Sequence, residues 1–334
     1  MENVEGRGRS GMRALVQRSW GGPSELGLVD DARRPSPGAG EVLVRVTAAG
    51  VNFADVMQSR GTYGGGPVAP YVAGFEAVGE VIGVGAGSAT PSGLRVVGTG
   101  RGAFAQYMVM PDAGMLPVPD GWADAAALGM VLNWATALAA LRPLGDVQAG
   151  SVVLVHAAAG GVGQAAVRLA LHYGARVIAT ASPSKHGALR ALGVEDVLDG
   201  SRGDLAEEIM RRTGSVDVVL ESVGRATFET SLAVAKPFTG RVVVFGAASG
   251  DATLSTHDLV FRHPVRVMGL HIGALAAKAP QIYAGLMSEI RELIAKGVYP
   301  PGAPQVHALA DGPALLADLE AGRTVGKHAL DPWA

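Results

Sequence analysis

Runs of apolar residues alternate with amphipathic stretches between about residue 130 and residue 274. The apolar runs, which predict β-strands, occupy 152–156, 176–180, 216–220, 241–245 and 265–270. The stretches between them carry apolar residues at helical spacing and predict helices over 161–173, 184–192, 203–213 and 226–235. Strands and helices that alternate in this way predict an α/β domain with a parallel, doubly wound sheet.

A different pattern precedes this region, from about residue 12 to residue 130. Its predicted strands are Met12–Val16, Glu41–Val46, Val78–Val84 and Ala103–Met110. Glycine and proline cluster between them, at 35–40, 61–67 and 85–93. Such punctuation is typical of a compact, partly open β-barrel with long loops.

The last sixty residues return to a mixed pattern. Amphipathic helices are predicted over Ile282–Lys296 and Ala308–Gly322, and a closing strand over Lys327–Leu330. Because these helices need a surface on which to bury their apolar faces, we expect this tail to pack on the first domain. The expected domains are therefore 12–130, completed by 275–334, and 131–274.

Composition narrows the classes of partner. Of the 334 residues, 48% are hydrophobic and 17% are charged, and the formal net charge is −2. This balance argues against nucleic acid or an anionic membrane surface as the partner. The apolar stretches fall short of the roughly 20 residues that span a bilayer, and Met1–Gly11 has no apolar core of a signal peptide and is expected to be a disordered lead-in.

The chain has no cysteine. Disulfides, thiolate metal ligands and a cysteine nucleophile are therefore excluded. This composition is compatible with a cytoplasmic protein, which is the expected location.

A glycine turn lies between the first predicted strand of the second domain and its first helix. The succession of strand, glycine turn and helix is that of a dinucleotide site. In such a site the glycines let the backbone approach a pyrophosphate at a helix N-terminus. The candidate cofactor-binding residues in this turn are Ala159, Gly160, Gly161, Val162 and Gly163. The alternative is an ordinary glycine turn of an α/β protein.

The end of the second strand of such a site reads the adenosine ribose, and a carboxylate there selects NAD. Here the strand 176–180 is followed by Ser182 and Lys185 and by no carboxylate. A hydroxyl and an ammonium suit a phosphate, so NADP is favoured over NAD. Alternatively, Lys185 is a solvated charge and Ser182 caps the next helix. Arg202 is a weaker candidate for the same phosphate.

Several segments, taken together, resemble the zinc-independent quinone oxidoreductases and the enoyl reductases of the medium-chain dehydrogenase/reductase superfamily. The segments are Ala49–Asp55, Gly61–Tyr63, Ala73–Gly79, Asn133–Ala137, the glycine turn, Thr180–Lys185 and Val244–Gly246. The resemblance covers nearly all of the chain after residue 11. It implies a GroES-like β-barrel domain on the substrate side and a Rossmann domain that binds NADPH.

The resemblance also implies roles for individual residues. Asn52 would contact the nicotinamide ribose, and Thr136 would lie beside the nicotinamide. Phe245 and Gly246 would cover the ring, Leu270 would flank it, and Lys327 would be a basic group near the cofactor. The alternatives to these cofactor contacts are structural: the Thr136 hydroxyl would bond to the backbone of its own helix, and Lys327 would be a surface charge. Family members pair as homodimers through the last sheet strand, here Val265–Leu270.

Metal-dependent relatives hold zinc with cysteine, histidine and glutamate ligands. This chain has no cysteine, has Phe75 where those enzymes carry a histidine, and has eight histidines without paired spacing. No metal site is therefore expected. Glu76 alone cannot hold zinc and is expected to accept hydrogen bonds from backbone donors.

Without a metal, hydride addition to a conjugated system is easier than reduction of a simple ketone, because the developing charge spreads onto oxygen. The expected reaction is reduction of a quinone or of an activated C=C bond of a small-molecule substrate by NADPH. Tyr63 is the candidate catalytic residue, as a proton or hydrogen-bond donor, and its alternative is a plain pocket wall. The rival functions are a nucleotide-binding tailoring enzyme that catalyses a non-redox step, and a non-enzymatic binding role.

Overall fold

The computed structural model describes residues 11–334. The disordered lead-in expected at the N-terminus lies outside the described residues, except that Gly11 begins the first strand. In the part that precedes the glycine turn, the chain forms β1 Gly11–Gln17, β2 Leu26–Arg33, β3 Glu41–Val51, α1 Phe53–Ser59, β4 Tyr71–Val72, β5 Glu76–Val84, β6 Arg95–Thr99, β7 Tyr107–Pro111, β8 Leu116–Pro117 and α2 Ala135–Ala139.

After α2 the chain enters the alternating region and then the tail. The elements are β9 Val152–Val155, α3 Gly161–His172, β10 Arg176–Ala181, α4 His186–Ala191, β11 Asp196–Asp199, α5 Leu205–Thr213, β12 Val218–Glu221, α6 Phe228–Val234, β13 Arg241–Val244, β14 Arg266–Gly269, α7 Ile272–Lys278, α8 Pro280–Ala295, β15 Gln305–Ala308, α9 Gly312–Glu320 and β16 His328–Asp331. Short helical turns occupy Pro23–Glu25, Asp124–Ala127, Met130–Trp134, Ala140–Leu144, Pro183–Lys185, Asp258–Arg262 and Leu309–Asp311.

The described residues divide into two compact units. One contains the chain up to Val131 together with Pro301–Ala334, and the other is Leu132–Pro300. The division differs from the expected one because residues 275–300 group with the second unit. The reason is that α8 buries Leu286 and Ile290 there and its Glu289 accepts a 2.7 Å hydrogen bond from the Tyr173 hydroxyl.

The first unit holds two sheets. Strands β2, β1 and β4 form a three-stranded antiparallel sheet, and the larger sheet runs β15-β16-β3-β5-β6-β8, with β7 also paired to β3. Its core includes Leu15, Val44, Phe104, Met108 and Leu330, all fully buried. Tail elements α9 and β16 belong to this unit, where β16 pairs antiparallel with β3.

One expected strand of the first unit is shorter than predicted. Residues 103–105, which precede β7, are apolar and buried. Ala103 N and Phe104 N donate to the loop carbonyls Gly74 O and Ala73 O, at 3.0 and 2.8 Å, and the segment meets β1 only through an isolated bridge between Ala105 and Ala14. Because a single bridge does not continue the ladder, the predicted strand Ala103–Met110 begins too early, and only its second half belongs to β7.

The second unit contains a six-stranded parallel sheet in the order β11-β10-β9-β12-β13-β14. Helices α3 to α6 connect the strands from β9 to β13 in chain order. The strands are apolar runs such as Val152–Val155, as strands covered on both faces are. The predicted α/β class with a doubly wound sheet is confirmed. The predicted strands and helices of this region agree with the observed ones to within about two residues.

One helical segment of residues 11–334, Asp124–Leu144, is long and apolar enough to cross a membrane. It has 21 residues and a mean hydropathy of 1.4, which corrects the expectation that no stretch reaches such a length. Of its most apolar window, 83% is buried inside the protein, as in the core helix of a globular protein.

Candidate active site

The predicted cofactor residues of the second unit follow strands of the parallel sheet. The glycine turn follows β9, Ser182 and Lys185 follow β10, Phe245 and Gly246 follow β13, and Leu270 follows β14. Because these are the carboxyl ends of parallel strands, the structure gathers them along one edge of the sheet. The order of the sheet reverses at β9, which has β10 on one side and β12 on the other, and ligands of doubly wound sheets bind at such a switch point.

The three glycines of the turn differ in what surrounds them. A Cβ on Gly163 would lie 2.5 Å from the carbonyl oxygen of Ala157, so the close packing of α3 on the turn requires glycine there. A Cβ on Gly160 would meet only that same oxygen, at 3.4 Å. The fold itself therefore leaves room for a side chain at Gly160, and a ligand that approached the backbone here would need that space.

Helix α3 begins at this turn without a side-chain cap. Gly160 is its N-cap, and the first backbone bond of the helix runs from Gln164 N to Gly160 O, at 2.9 Å. The amides of residues 161–163 precede that bond and point out of the helix N-terminus, where the dipole favours an anion. These features fit the pyrophosphate of a dinucleotide.

The residues after β10 are arranged around a short turn. Ser182 is the N-cap of the turn Pro183–Lys185, and within the described chain its hydroxyl makes no capping hydrogen bond to that turn. The capping alternative for the Ser182 side chain is therefore not what the structure has. Burial lowers the pKa of Lys185. Arg202 forms a bidentate pair with Asp204, with N–O distances of 2.8 and 2.7 Å, and is thus already engaged.

The residues expected near the nicotinamide occupy two further loops and a helix. Gly246 must be glycine, since a Cβ there would lie 2.8 Å from the carbonyl oxygen of Ser222. Leu270 is buried, and its amide donates to Val244 O at 2.8 Å. Thr136 is buried in α2, one turn after Asn133, whose side chain lies 3.3 Å from where a Gly161 Cβ would be. Their contacts with a cofactor stay a prediction.

A buried polar group lies under the glycine turn. His156, the residue after β9, shares a 2.9 Å hydrogen bond between its Nδ1 and the Thr180 hydroxyl, and its Nε2 lies 3.9 Å from Glu221 Oε2. Burial is the main cause of a lowered His156 pKa, and the Glu221 charge opposes it. The Glu221 carboxylate accepts bonds from two backbone amides and from the hydroxyls of Thr227 and Ser231. The group therefore ties together the ends of β9, β10 and β12.

The first unit brings Asn52 and Lys327 together around Glu76. The Lys327 ammonium lies 2.7 Å from Asn52 Oδ1 and 2.5 Å from Glu76 Oε2, and the Asn52 amide donates to the same Glu76 oxygen at 3.0 Å. Glu76 is fully buried, and its other oxygen accepts from Gly129 N at 2.7 Å. Gly50 leaves space for this approach, because a Cβ there would overlap the Glu76 carboxylate. Glu76 does accept from a backbone donor, as expected, and Lys327 is an ion-pair partner and not a plain surface charge.

Tyr63 lies at a cavity of about 490 Å³ within the first unit. The cavity lining includes Tyr63, Tyr71, Gln58, Phe75, Arg101 and Tyr107. Burial raises the pKa of the Tyr63 phenol, and the charge of Asp55 raises it further. The mixed aromatic and polar lining fits an apolar small molecule with a polar oxygen.

Residues 11–334 contain no group of three or more histidine, cysteine, aspartate or glutamate side chains placed to hold a metal ion. Glu76 is committed to Lys327, Asn52 and Gly129, and Phe75 offers no ligand atom. The donor set at this position therefore does not fit a catalytic zinc ion.

Comparisons with known proteins agree with this architecture. The family described as alcohol dehydrogenase GroES-like domain matches residues 38–120, and the family described as zinc-binding dehydrogenase matches residues 161–292. Human synaptic vesicle membrane protein VAT-1 homolog is 30% identical over 343 residues, which cover 96% of this chain and 86% of that protein. The chain belongs to the medium-chain dehydrogenase/reductase superfamily of oxidoreductases, in the group of the quinone oxidoreductases and enoyl reductases.

Other relatives are much longer than this chain. Erythronolide synthase EryA2 of Saccharopolyspora erythraea is 47% identical over 192 residues, 55% of this chain. The matched region is 5% of that protein, and a mycobacterial polyketide synthase is matched over 15% of its length.

Two solved structures cover nearly the whole fold. Escherichia coli quinone oxidoreductase complexed with NADPH superposes with a TM-score of 0.88 at 29% identity, covering 96% of this chain and 100% of that one. The CurK enoyl reductase gives a TM-score of 0.86 at 29% identity, covering 96% and 99%.

The sequence reasoning did not single out three residues of these sites. Asn133 borders the glycine turn, His156 directly precedes it and bonds to Thr180, and Asp55 is buried close enough to the cavity tyrosines to raise their pKa. Asp55 and Asn133 lie within segments that carried the family resemblance, and His156 directly precedes the glycine turn. The signal was thus a polar residue within or beside an otherwise apolar or glycine-rich motif.

Proposed function

We propose that the protein is an NADPH-dependent reductase that transfers hydride to a quinone or to an activated C=C bond of a small molecule. The observation that carries this proposal is the uncapped N-terminus of α3 at the switch point of the sheet, with space over Gly160 that the fold does not use. A pyrophosphate is the ligand that such a turn suits.

The choice of NADPH over NADH rests on the residues after β10. Ser182 and Lys185 supply a hydroxyl and an ammonium where an NAD site has a carboxylate, and these groups suit a 2′-phosphate. The NADPH complex of the structurally similar E. coli quinone oxidoreductase supports the same choice. Asn52, Thr136, Phe245, Leu270 and Lys327 are proposed to contact the nicotinamide half.

The reduced nicotinamide, when bound, supplies the hydride. The chain supplies orientation and a proton donor, because its donor set does not provide a Lewis acid. Tyr63 is proposed to donate its phenolic proton to the reduced substrate from the wall of the 490 Å³ cavity. Conjugated acceptors suit a site with a proton donor and no Lewis acid, since the negative charge that develops on them is delocalised.

A homodimer is part of the proposal. Strand β14 ends the order of the parallel sheet, so that in the described residues one of its edges has no partner strand. Exposed apolar side chains, Phe238 and Phe261, lie in the segments that flank β13 and β14, and Phe238 N donates to Pro264 O at 2.5 Å. Light scattering on the purified protein should give twice the mass of the chain.

The test is a binding titration followed by a turnover assay. Protein fluorescence is titrated with NADPH and with NADH, and oxidation of NADPH is then followed with quinones, enones, enoyl thioesters and simple ketones, each with and without a chelator. We expect tighter binding of NADPH, turnover of conjugated acceptors, and no effect of the chelator.

Variants of two cavity tyrosines sharpen the test. Tyr63→Phe should lower kcat for enones by about 10²-fold or more, which is the range for loss of a general acid. Tyr71→Phe should lower kcat far less. Binding of NADPH without turnover of any acceptor would instead favour the non-redox tailoring role. Absence of NADPH binding, or turnover of ketones that depends on zinc, would refute the proposal.

A further inference from the structure

Asp55 is a buried acid with one unused oxygen. It lies on α1 with 3% of its surface exposed, and its Oδ2 accepts a 2.8 Å hydrogen bond from Asn52 N. Its Oδ1 is buried and has no hydrogen-bond partner among residues 11–334. Burial in such a place has a large desolvation free energy for the charged carboxylate and a much smaller one for the neutral acid.

The charged groups around Asp55 do not remove that cost. Lys327 and Glu76 face it with opposite signs, and the Lys327 ammonium is committed to Glu76 Oε2 and Asn52 Oδ1. Burial is therefore the largest influence and raises the pKa of Asp55 to about 8. With Asp55 neutral, the ion pair of Lys327 and Glu76 leaves this buried cluster without net charge.

The helix that carries Asp55 also contributes a residue to the cavity wall. Gln58, one turn further along α1, lines the cavity together with Tyr63 and Tyr71. The charge of Asp55, when present, raises the pKa of both phenols. The two tyrosines are thus the cavity groups that sense whether Asp55 carries a proton.

Resting on the proposed function, we propose that Asp55 is a positioning residue that must be neutral for Tyr63 to donate its proton to the reduced substrate. Hydride adds to the β-carbon of a conjugated carbonyl, and the resulting enolate takes the proton at its α-carbon as the Tyr63 O–H bond breaks. The phenolate so formed regains a proton from water when the product leaves. An ionised Asp55 would put a second negative charge near that phenolate and oppose the transfer.

The first experiment measures kcat/KM for an enone between about pH 6 and pH 10. Wild type should lose about tenfold in rate between pH 7 and pH 9, as a single group near pH 8 ionises. Asp55→Asn keeps the neutral shape and should abolish this loss. Asp31→Asn, an exposed change of the same chemistry in the same unit, should retain it.

The second experiment needs no turnover. Tyrosine labelled with carbon-13 at the ring carbon bearing oxygen is followed by NMR during a pH titration, and Tyr63→Phe assigns the Tyr63 signal. In wild type, the Tyr63 signal should shift once near pH 8, as Asp55 ionises, and again at higher pH as the phenol ionises. In Asp55→Asn the first shift should be lost and the second should move to lower pH.

The outcomes separate the two proposals. An Asp55→Asn profile that falls as the wild-type profile does, or a wild-type Tyr63 signal that does not move near pH 8, would overturn the role of Asp55. If no conjugated acceptor is reduced, the proposed function fails, and the NMR titration of wild type still decides whether Asp55 acts on Tyr63. The wild-type titration also decides if Asp55→Asn does not fold.

Discussion

The Lys327 ammonium lies 2.5 Å from the Glu76 carboxylate, although 251 residues separate the two in the chain. Glu76 is fully buried and the Lys327 side chain is 14% exposed, so each is the main compensation for the charge of the other. Removing one partner of a buried pair leaves an uncompensated charge, which is far costlier than losing a surface pair.

Lys327→Met should therefore lower the free energy of unfolding by about 3–5 kcal/mol in urea denaturation. Lys296→Met removes an exposed pair with Glu292 and should cost less than about 1 kcal/mol. The double variant Glu76→Gln with Lys327→Met should regain part of the loss, because no charge is left buried. Equal losses for the two lysine variants would contradict the assignment.

The glycine turn allows a separation of folding from binding. Gly163→Ala would push a methyl group against Ala157 O, at 2.5 Å, and should lower the melting temperature. Gly160→Ala has room and should melt like wild type, while its methyl group fills the space over the helix N-terminus. We expect its affinity for NADPH to fall by about tenfold or more in a fluorescence titration, since each 1.4 kcal/mol lost is a factor of ten. Unchanged NADPH affinity in Gly160→Ala would argue against a nucleotide on this turn.

Lys185 should account for selectivity between the two nucleotides. Loss of a charge-assisted hydrogen bond costs about 1.5–3 kcal/mol, so Lys185→Met should weaken NADPH binding by roughly ten- to a hundredfold. NADH, which lacks the 2′-phosphate, should bind equally to both proteins. Lys236→Met, a surface lysine paired with Asp217, is the control and should leave both affinities unchanged.

Asp55 should also affect stability, with an unusual sign for an acid. Its pKa is raised from 3.8 to about 8, so between these values the folded protein holds a proton that the unfolded chain releases. The free energy of unfolding therefore falls as the pH rises from about 4 to 8. Asp55→Asn lacks this loss, so its melting temperature relative to wild type should be higher at pH 8 than at pH 5. A difference independent of pH would show that Asp55 is not protonated in the folded state.

His156 should act in the opposite direction. Its pKa is lowered by burial, so the unfolded chain binds the proton more readily, and stability is lost as the pH falls below the unfolded value near 6.5. His156→Gln, which does not titrate, should flatten this part of the stability profile. His172→Gln, at an exposed site, should leave the acid-side loss as it is in wild type.

The parallel sheet was predictable because its strands are buried on both faces and read as continuous apolar runs. Strand β2, Leu26–Arg33, was not predicted because its second half, Val29–Arg33, is mostly polar and exposed. Helix α1 has only seven residues, too few for a helical period to stand out. The chain rejoins the first unit at Pro301 and not at residue 275, where the sequence predicts it. The difference arises because helix α8 has an apolar face, and periodicity alone does not say which surface covers that face.

The candidate site was predictable where a motif is local. The glycine turn and the residues after β10 are adjacent in sequence to the strands that position them, so pattern and spacing were enough to place them at the strand ends. Their contacts with a cofactor stay a prediction. Asn52 and Lys327 are predicted separately from the sequence, and their direct contact beside Glu76 depends on the pairing of β16 with β3, which no local pattern encodes. Asp55 is not predicted from the sequence, because burial and not residue type raises the pKa of an aspartate.

Strand β16 supplies its pairing with β3 from the far end of the described chain, and that arrangement bears on how the molecule is assembled. During synthesis, the buried carboxylate of Glu76 waits for its counter-ion until about 250 further residues have been made, while Leu132–Pro300 is one continuous stretch. Long-range pairings of this kind form slowly. We therefore expect the unit Leu132–Pro300 to become ordered first on the ribosome, and the tyrosine-lined cavity to take its final shape last.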